Sequence, residues 1–282
     1  MDQFPGGCNP LLIIGLVIIP AVCVLPLILI FGLGVSNDTT ADFPTMVPLL
    51  DAPAESELNQ QSSTKAPEPM MLPPASSDGQ TWLVMLYQDA DDKTLEQDIY
   101  YDLNEAERVG SSDRVHIVAQ VDRFSAGYQG DGNWSDTKRF YITQDGDLQR
   151  VSSQQVESLG ESNMSSGETL VDFVTWAVDN FPADRHVLIM ADHGMGWPGG
   201  GSDPNPGGRD DSNIPMAKAL GDQLFLMELD EALEEIRAQT GLEQFELVGM
   251  DTCLMGHIEV FSALAPHARY AVASQETELA MG

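Results

Sequence analysis

Cysteine and histidine are the side chains here that can attack a carbonyl or move a proton at neutral pH. One of each stands after an apolar run, at His193 and Cys253, sixty residues apart. Residues 245–250 read as a short buried strand, Asp251 and Thr252 as a turn, and the chain from Cys253 as a helix. The helix rests on Leu254, Ile258, Phe261 and Ala265, which recur at helical spacing. Asp251 or Thr252 would cap its first turn. A cysteine at a helix N-terminus meets partial positive charge from unpaired N–H groups, which favours the nucleophilic thiolate. The same position suits a small hydrophobe packed at a strand–helix junction, so from this segment alone Cys253 is either reactive or inert.

Both residues need a frame that brings distant strands together. Apolar runs at 82–87, 115–121, 187–191, 245–250 and 270–274 read as strands, with an extra strand at 139–143. Helices fall between them. One carries Leu95, Ile99, Leu103 and Ala106; another opens with a capping box, Ser165-Ser166-Gly167-Glu168; a third carries Leu226, Leu229, Leu233 and Ile236. Strands alternating with helices imply an α/β sandwich around a mostly parallel sheet, whose site gathers outside the carboxyl ends of the strands. His193, Cys253 and the pair Glu276 and Glu278 all fall at such ends.

Composition narrows the partners. Thirteen Lys and Arg against forty-four Asp and Glu give a net charge of −31, a surface that repels nucleic acid and would attract cationic peptides or Ca²⁺. Cys8 and Cys23 lie in or beside an apolar N-terminal run, so Cys253 has no partner for a disulfide within residues 80–282. Residues 11–35 are almost wholly apolar and long enough to span a bilayer; with residues 1–35 they read as a single-pass anchor. Residues 36–79, rich in Pro, Ser and acids, read as a linker, and 80–282 as the folded domain. The loop at 198–215, rich in Gly, Pro and Asp, shows no structural pattern of its own.

Asp192-His193-Gly194-Met195-Gly196-Trp197 and Asp251-Thr252-Cys253-Leu254-Met255 together resemble the clostripain family of cysteine peptidases, which have a caspase-like fold. The lead-in Phe181-Pro182-Ala183-Asp184 and the Ala273-Ser274 pair followed by acids also match, and the resemblance covers roughly residues 81–282. It implies a three-layer caspase-like sandwich with Cys253 as nucleophile and His193 as its proton-transfer partner. The N–H groups of Gly194 and Cys253 would form the oxyanion hole. It further implies that Asp251, with Glu276 and Glu278, lines a pocket for Arg or Lys, and that the chain cuts itself in the long loop, at Arg209 or Lys218. No cofactor is required, with Ca²⁺ a possible activator. The substrate would be a peptide or protein with basic residues, and the peptidase domain would be held extracytoplasmically by its membrane anchor.

Two departures accompany the resemblance. The chain ends twenty-nine residues after Cys253, where the family continues with a further strand and helices, so the C-terminal part of the fold is expected to be missing. Gln275 stands where the family more often has an acid. Asp192 neighbours His193, but successive side chains on a strand point to opposite faces, so it is not expected to orient the ring. His257, four residues after Cys253, would share its helical face and could form a Cys/His metal pair, though no further cysteine is at hand. The competing readings are an inactive membrane-tethered binding module that keeps the fold, and an acidic Ca²⁺-binding surface domain.

Overall fold

The computed structural model describes residues 79–278, apart from residue 126 and residues 205–215. The expected anchor at 11–35, nearly all of the linker, and Arg209 lie outside the described residues. Among the described residues no helix is long and apolar enough to cross a membrane.

The elements run β1 (Trp82–Ala90), α1 (Glu96–Ala106), β2 (Val115–Arg123), β3 (Thr137–Tyr141), β4 (Gln154–Gly160), α2 (Gly167–Asn180) and β5 (Arg185–Ala191). They continue with β6 (Gly199–Gly200), α3 (Ala217–Leu220), β7 (Leu224–Phe225), α4 (Leu226–Thr240), β8 (Phe245–Asp251), α5 (Ile258–Leu264) and β9 (Ala268–Ala273). Seven strands form one sheet in the order β4-β3-β2-β1-β5-β8-β9. The five from β2 to β9 are parallel, and β3 and β4 add an antiparallel edge. β4 was not expected from the sequence, because its residues are largely exposed and its apolar signal is slight.

Alternation along the strands sorts side chains between two helix layers. Leu83, Met85, Leu188, Met190, Val248 and Met250 pack with Phe173 and Val174 of α2, Leu233 of α4 and Val260 of α5. On the other face Ile117, Ala119 and Val121 pack with Ile99 and Leu103 of α1. Each fully buried Leu, Phe or Val contributes about 1.5–3 kcal/mol, so these two faces hold the sheet that positions the site. The second face is unevenly covered: on the edge strand β9, Tyr270 and Val272 are 58% and 60% exposed.

Three local expectations are corrected. The α5 helix begins at Ile258, not at Cys253, because the intervening N–H groups are already committed: Leu254 donates to the Glu276 carbonyl at 3.0 Å and Gly256 to the Ser274 carbonyl at 2.5 Å. Its buried face is Val260 and Leu264, while Ile258 is 73% exposed. The capping box is not made, since Ser166 caps α2 without a side-chain bond. Glu228 of α4 reaches across instead and accepts the Gly167 N–H at 2.9 Å. Within the long loop, Gly199 and Gly200 form β6 and pair antiparallel with β7.

Candidate active site

Strands β5 and β8 lie side by side and parallel, with Ala191 opposite Asp251 at their carboxyl ends. His193 and Cys253 each follow two residues later, so the register alone delivers both to one rim of the sheet. They line a single cleft of about 100 Å³ together with Asp251 and Glu278.

Cys253 stands in a turn between β8 and α5, not at the N-terminus of a helix as the sequence suggested. Its sulfur lies against the far end of the described chain: the Glu278 N–H points at Cys253 Sγ at 3.3 Å, and the thiol faces the Glu278 carbonyl oxygen at 4.0 Å. The next residue, Leu254, has φ 62°, an uncommon conformation for a side chain branched beyond Cβ, and it turns the backbone sharply just after the cysteine. His257 caps α5 with no side-chain bond, so it does not share a helical face with Cys253. No group of three or more metal-binding side chains occurs among the described residues.

The histidine is held by a residue that sequence reasoning missed. His193 Nε2 lies 3.3 Å from Asp92 Oδ1, in the loop between β1 and α1. Asp92 is itself fixed by the N–H groups of Thr94 at 2.7 Å and Leu95 at 3.0 Å. Burial pushes the Asp92 carboxyl up, but those two N–H bonds and His193 outweigh it, so it sits below its usual range. A carboxylate six strand-and-helix elements away in sequence leaves no spacing signal beside the histidine; the only hint was that its loop follows a strand's carboxyl end. Asp192, as expected, does not orient the ring: its carboxyl accepts the His193 N–H at 2.5 Å and the Ser202 N–H at 2.6 Å. It thereby shapes the loop. Burial pushes that carboxyl up to about 8 against the pull of both N–H bonds.

Gly194 lies directly on the cysteine loop. A Cβ there would stand 1.9 Å from the Cys253 carbonyl oxygen, closer than any side chain can come. Gly194→Ala must therefore push the two loops apart. A displacement near 1 Å at a reacting centre costs on the order of 100-fold in rate. Assay of a peptide substrate with Gly194→Ala is expected to show a loss of that size in kcat/KM, and unchanged turnover would separate the loop contact from function.

Of the remaining expected residues, Asp251 and Glu278 come together. Burial, then the Asp251 charge and a hydrogen bond with Asp251, raise the Glu278 carboxyl. The side chain of Glu276 is exposed and does not line the cleft; Glu276 contributes its carbonyl, which receives the Leu254 N–H.

Residues 86–282 match the model of the clostripain family. The chain belongs to the clostripain family. It is 31% identical over 197 residues to clostripain of Hathewaya histolytica, covering 63% of this chain and 34% of that protein. The chain thus spans about a third of the length of that relative. Among solved structures it resembles a secreted C11 cysteine protease from Bacteroides thetaiotaomicron in complex with an irreversible peptide inhibitor. That likeness has a TM-score of 0.52 at 20% identity and covers 72% of this chain and 51% of the other. A second structure of a secreted C11 cysteine protease from the same organism, iotapain, gives a TM-score of 0.50 at 17% identity over 72% of this chain and 54% of its own. At these identities the clostripain-family structures support the fold alone, a mixed α/β domain with a mostly parallel central sheet.

Proposed function

We propose that this chain is a cysteine endopeptidase with a Cys253–His193 dyad that cleaves after Arg or Lys. The observation that carries it is the delivery of both side chains to one cleft by the paired ends of β5 and β8. The Cys253 thiolate attacks the scissile carbonyl carbon, and the C=O electron pair moves onto oxygen. The N–H groups of Gly194 and Cys253 receive that oxyanion; a glycine lets the substrate come close to the backbone. Collapse of the intermediate breaks the C–N bond while His193 protonates the departing amine. Asp92 on Nε2 leaves Nδ1 as the nitrogen for this transfer. Water, deprotonated by the same histidine, then attacks the thioester, which releases the carboxylic acid and returns the Cys253 thiolate beside a protonated His193.

The sequence of residues 11–35 supports attachment to a membrane as a single-pass protein, and the loop holding Arg209 supports maturation by self-cleavage. Lys218 is the poorer point for that cut, because it lies in the short helix α3, which would have to open first.

Asp251 carries the preference for a basic residue before the scissile bond, with Glu278 beside it. Charge-assisted hydrogen bonds are worth roughly 1.5–3 kcal/mol, and Asp251 is exposed, so the lower end applies. In a peptide series differing only at that residue, Asp251→Asn is expected to cut turnover of Arg and Lys peptides about tenfold and spare Ala and Leu peptides. An equal fall for every peptide would assign Asp251 a structural role and take the basic preference with it.

A further inference from the structure

The catalytic scheme leaves unused a buried carboxyl beneath the His193 turn. β1 and β5 run parallel with Gln88 opposite Ala191, so Asp89 and Asp192 leave the two strands side by side. They are 3% and 8% exposed, and both line a small cavity of about 30 Å³ with Tyr87 and His193. Asp192 accepts the N–H groups of His193 and Ser202, and the Gly201 N–H donates to the His193 carbonyl at 2.8 Å. The loop that carries His193 and Gly194 is thus closed on one carboxyl. Asp89 holds that carboxyl in turn, since its side chain hydrogen-bonds to Asp192. Asp89 Oδ1 accepts the Asp91 N–H at 3.3 Å, while Oδ2 receives no N–H or hydroxyl among the described residues. Two carboxyl groups hydrogen-bond only when one keeps a proton, and buried side by side they do not both ionise. Asp192, with two N–H groups on it, is the better anion; Asp89, with one long bond, is the better acid.

We propose that Asp89 is a positioning residue of the peptidase: it stays protonated, donates to the Asp192 carboxylate, and through it holds the His193 turn against the cysteine loop. The proposal rests on the peptidase reading above and adds a residue to it. Asp89 faces Asp192 after β5, Asp203 beyond β6 and Asp122 near the end of β2, with Tyr87 on its own strand. Asp192 also faces Asp92, the partner of His193. No Lys or Arg is among these groups. Burial first, then the charges of Asp192, Asp203 and Asp122, hold the Asp89 carboxyl well above the usual carboxylate range. Unfolding frees both carboxyls to ionise near pH 4, so above that pH the folded chain binds more protons than the unfolded one. The pair therefore costs stability that grows as pH rises from about 4 towards about 8, where Asp192 titrates. Above that pH the shared proton is lost, the two anions repel, and the turn is released.

The test compares the full wild-type chain with Asp89→Asn, whose amide donates at any pH, and Asp89→Leu, which keeps the shape without a donor. On a peptide substrate at pH 7, Asp89→Asn is expected within about threefold of wild type in kcat, and Asp89→Leu about tenfold or more below it. The ratio of kcat/KM for wild type to that for Asp89→Asn should be flat from pH 6 to pH 7 and fall above pH 8. Titration of Cys253 and His193 is common to both chains and cancels in that ratio. Hydrogen exchange of the His193 and Ser202 amides reads the turn without any cleavage: about tenfold faster in Asp89→Leu, unchanged in Asp89→Asn. The gain in melting temperature of Asp89→Asn over wild type should widen from pH 5 to pH 8. A gain that stays constant with pH, Asp89→Asn falling as far as Asp89→Leu, or Asp89→Leu exchanging like wild type each overturn the proposal. If wild type cleaves no peptide, the peptidase reading falls, and exchange and melting alone uphold or overturn the Asp89–Asp192 bond. Should Asp89→Leu fail to fold, the pH dependence of Asp89→Asn decides.

Discussion

Cys253→Ala is expected to remove peptide cleavage altogether, a fall on the order of 10⁴-fold or more, because no other group in the cleft can form the thioester. His193→Ala is expected to cost about 10²–10⁴-fold, the usual range for a lost proton-transfer group. Residues that act as one unit are strongly non-additive, so the double variant should be no worse than Cys253→Ala alone. Neither change should lower the melting temperature by much, since Cys253 is partly exposed and the His193 side chain is 43% exposed. Steady-state assays alongside labelling by a thiol-directed peptidyl electrophile give both readouts. Activity within tenfold of wild type in either single variant would refute the dyad.

The largest stability effect is expected far from the cysteine, at Glu96→Ala. Glu96 opens α1 and is paired inside the protein with Arg123 at the end of β2; the two side chains are 2% and 0% exposed. Arg123 Nε donates to Glu96 Oε1 at 3.0 Å, and Glu96 Oε2 accepts the Tyr128 N–H at 2.5 Å. The guanidinium also donates to the Tyr128 carbonyl and lies over Trp134 and Tyr100, at 4.5 Å and 4.9 Å from the ring centres. Deleting the carboxylate leaves a buried cation without an anion, which costs about 3–5 kcal/mol. For a domain of this size that is a fall of roughly 10 °C in melting temperature, read by calorimetry or denaturant unfolding. Replacing both partners with apolar residues, Glu96→Leu with Arg123→Met, should cost less than Glu96→Ala alone, because no unpaired charge remains. A single variant that melts like wild type would show that the pair is dispensable. Because α1 starts at this pair, its loss should also loosen Asp92, four residues earlier, and with it the histidine.

The sequence made the sheet legible because its central strands are covered on both faces and read as unbroken apolar runs. His193 and Cys253 were legible for the same reason: each follows such a run, and in parallel sheets chemistry collects at carboxyl ends. Three features were hidden. The turn after Cys253 is set by hydrogen bonds to Ser274 and Glu276, partners some twenty residues on, so helical periodicity misread it as helix. Asp92 reaches His193 only because β1 and β5 are neighbours, a fact of topology rather than spacing. Arg123 looks like one more strand-end charge until the aromatic residues around it are folded into place. Composition pointed correctly to an acidic surface but gave no sign that several of those acids line one cleft.

The order of strands has a last consequence, for an interrupted polypeptide. His193 follows β5 and Cys253 precedes α5, and the chain between them leaves the sheet and returns before β8 pairs beside β5. A break between Asp203 and Met216 would put the histidine on one fragment and the cysteine on the other. The fragments would still share the β5–β8 ladder and the packing of α2 against α4. The proposed catalytic geometry is therefore a property of strand pairing and not of chain continuity. Two polypeptides, each inert by itself, would regain the cleft by complementation, and denaturant that parts them would silence it without touching a catalytic atom.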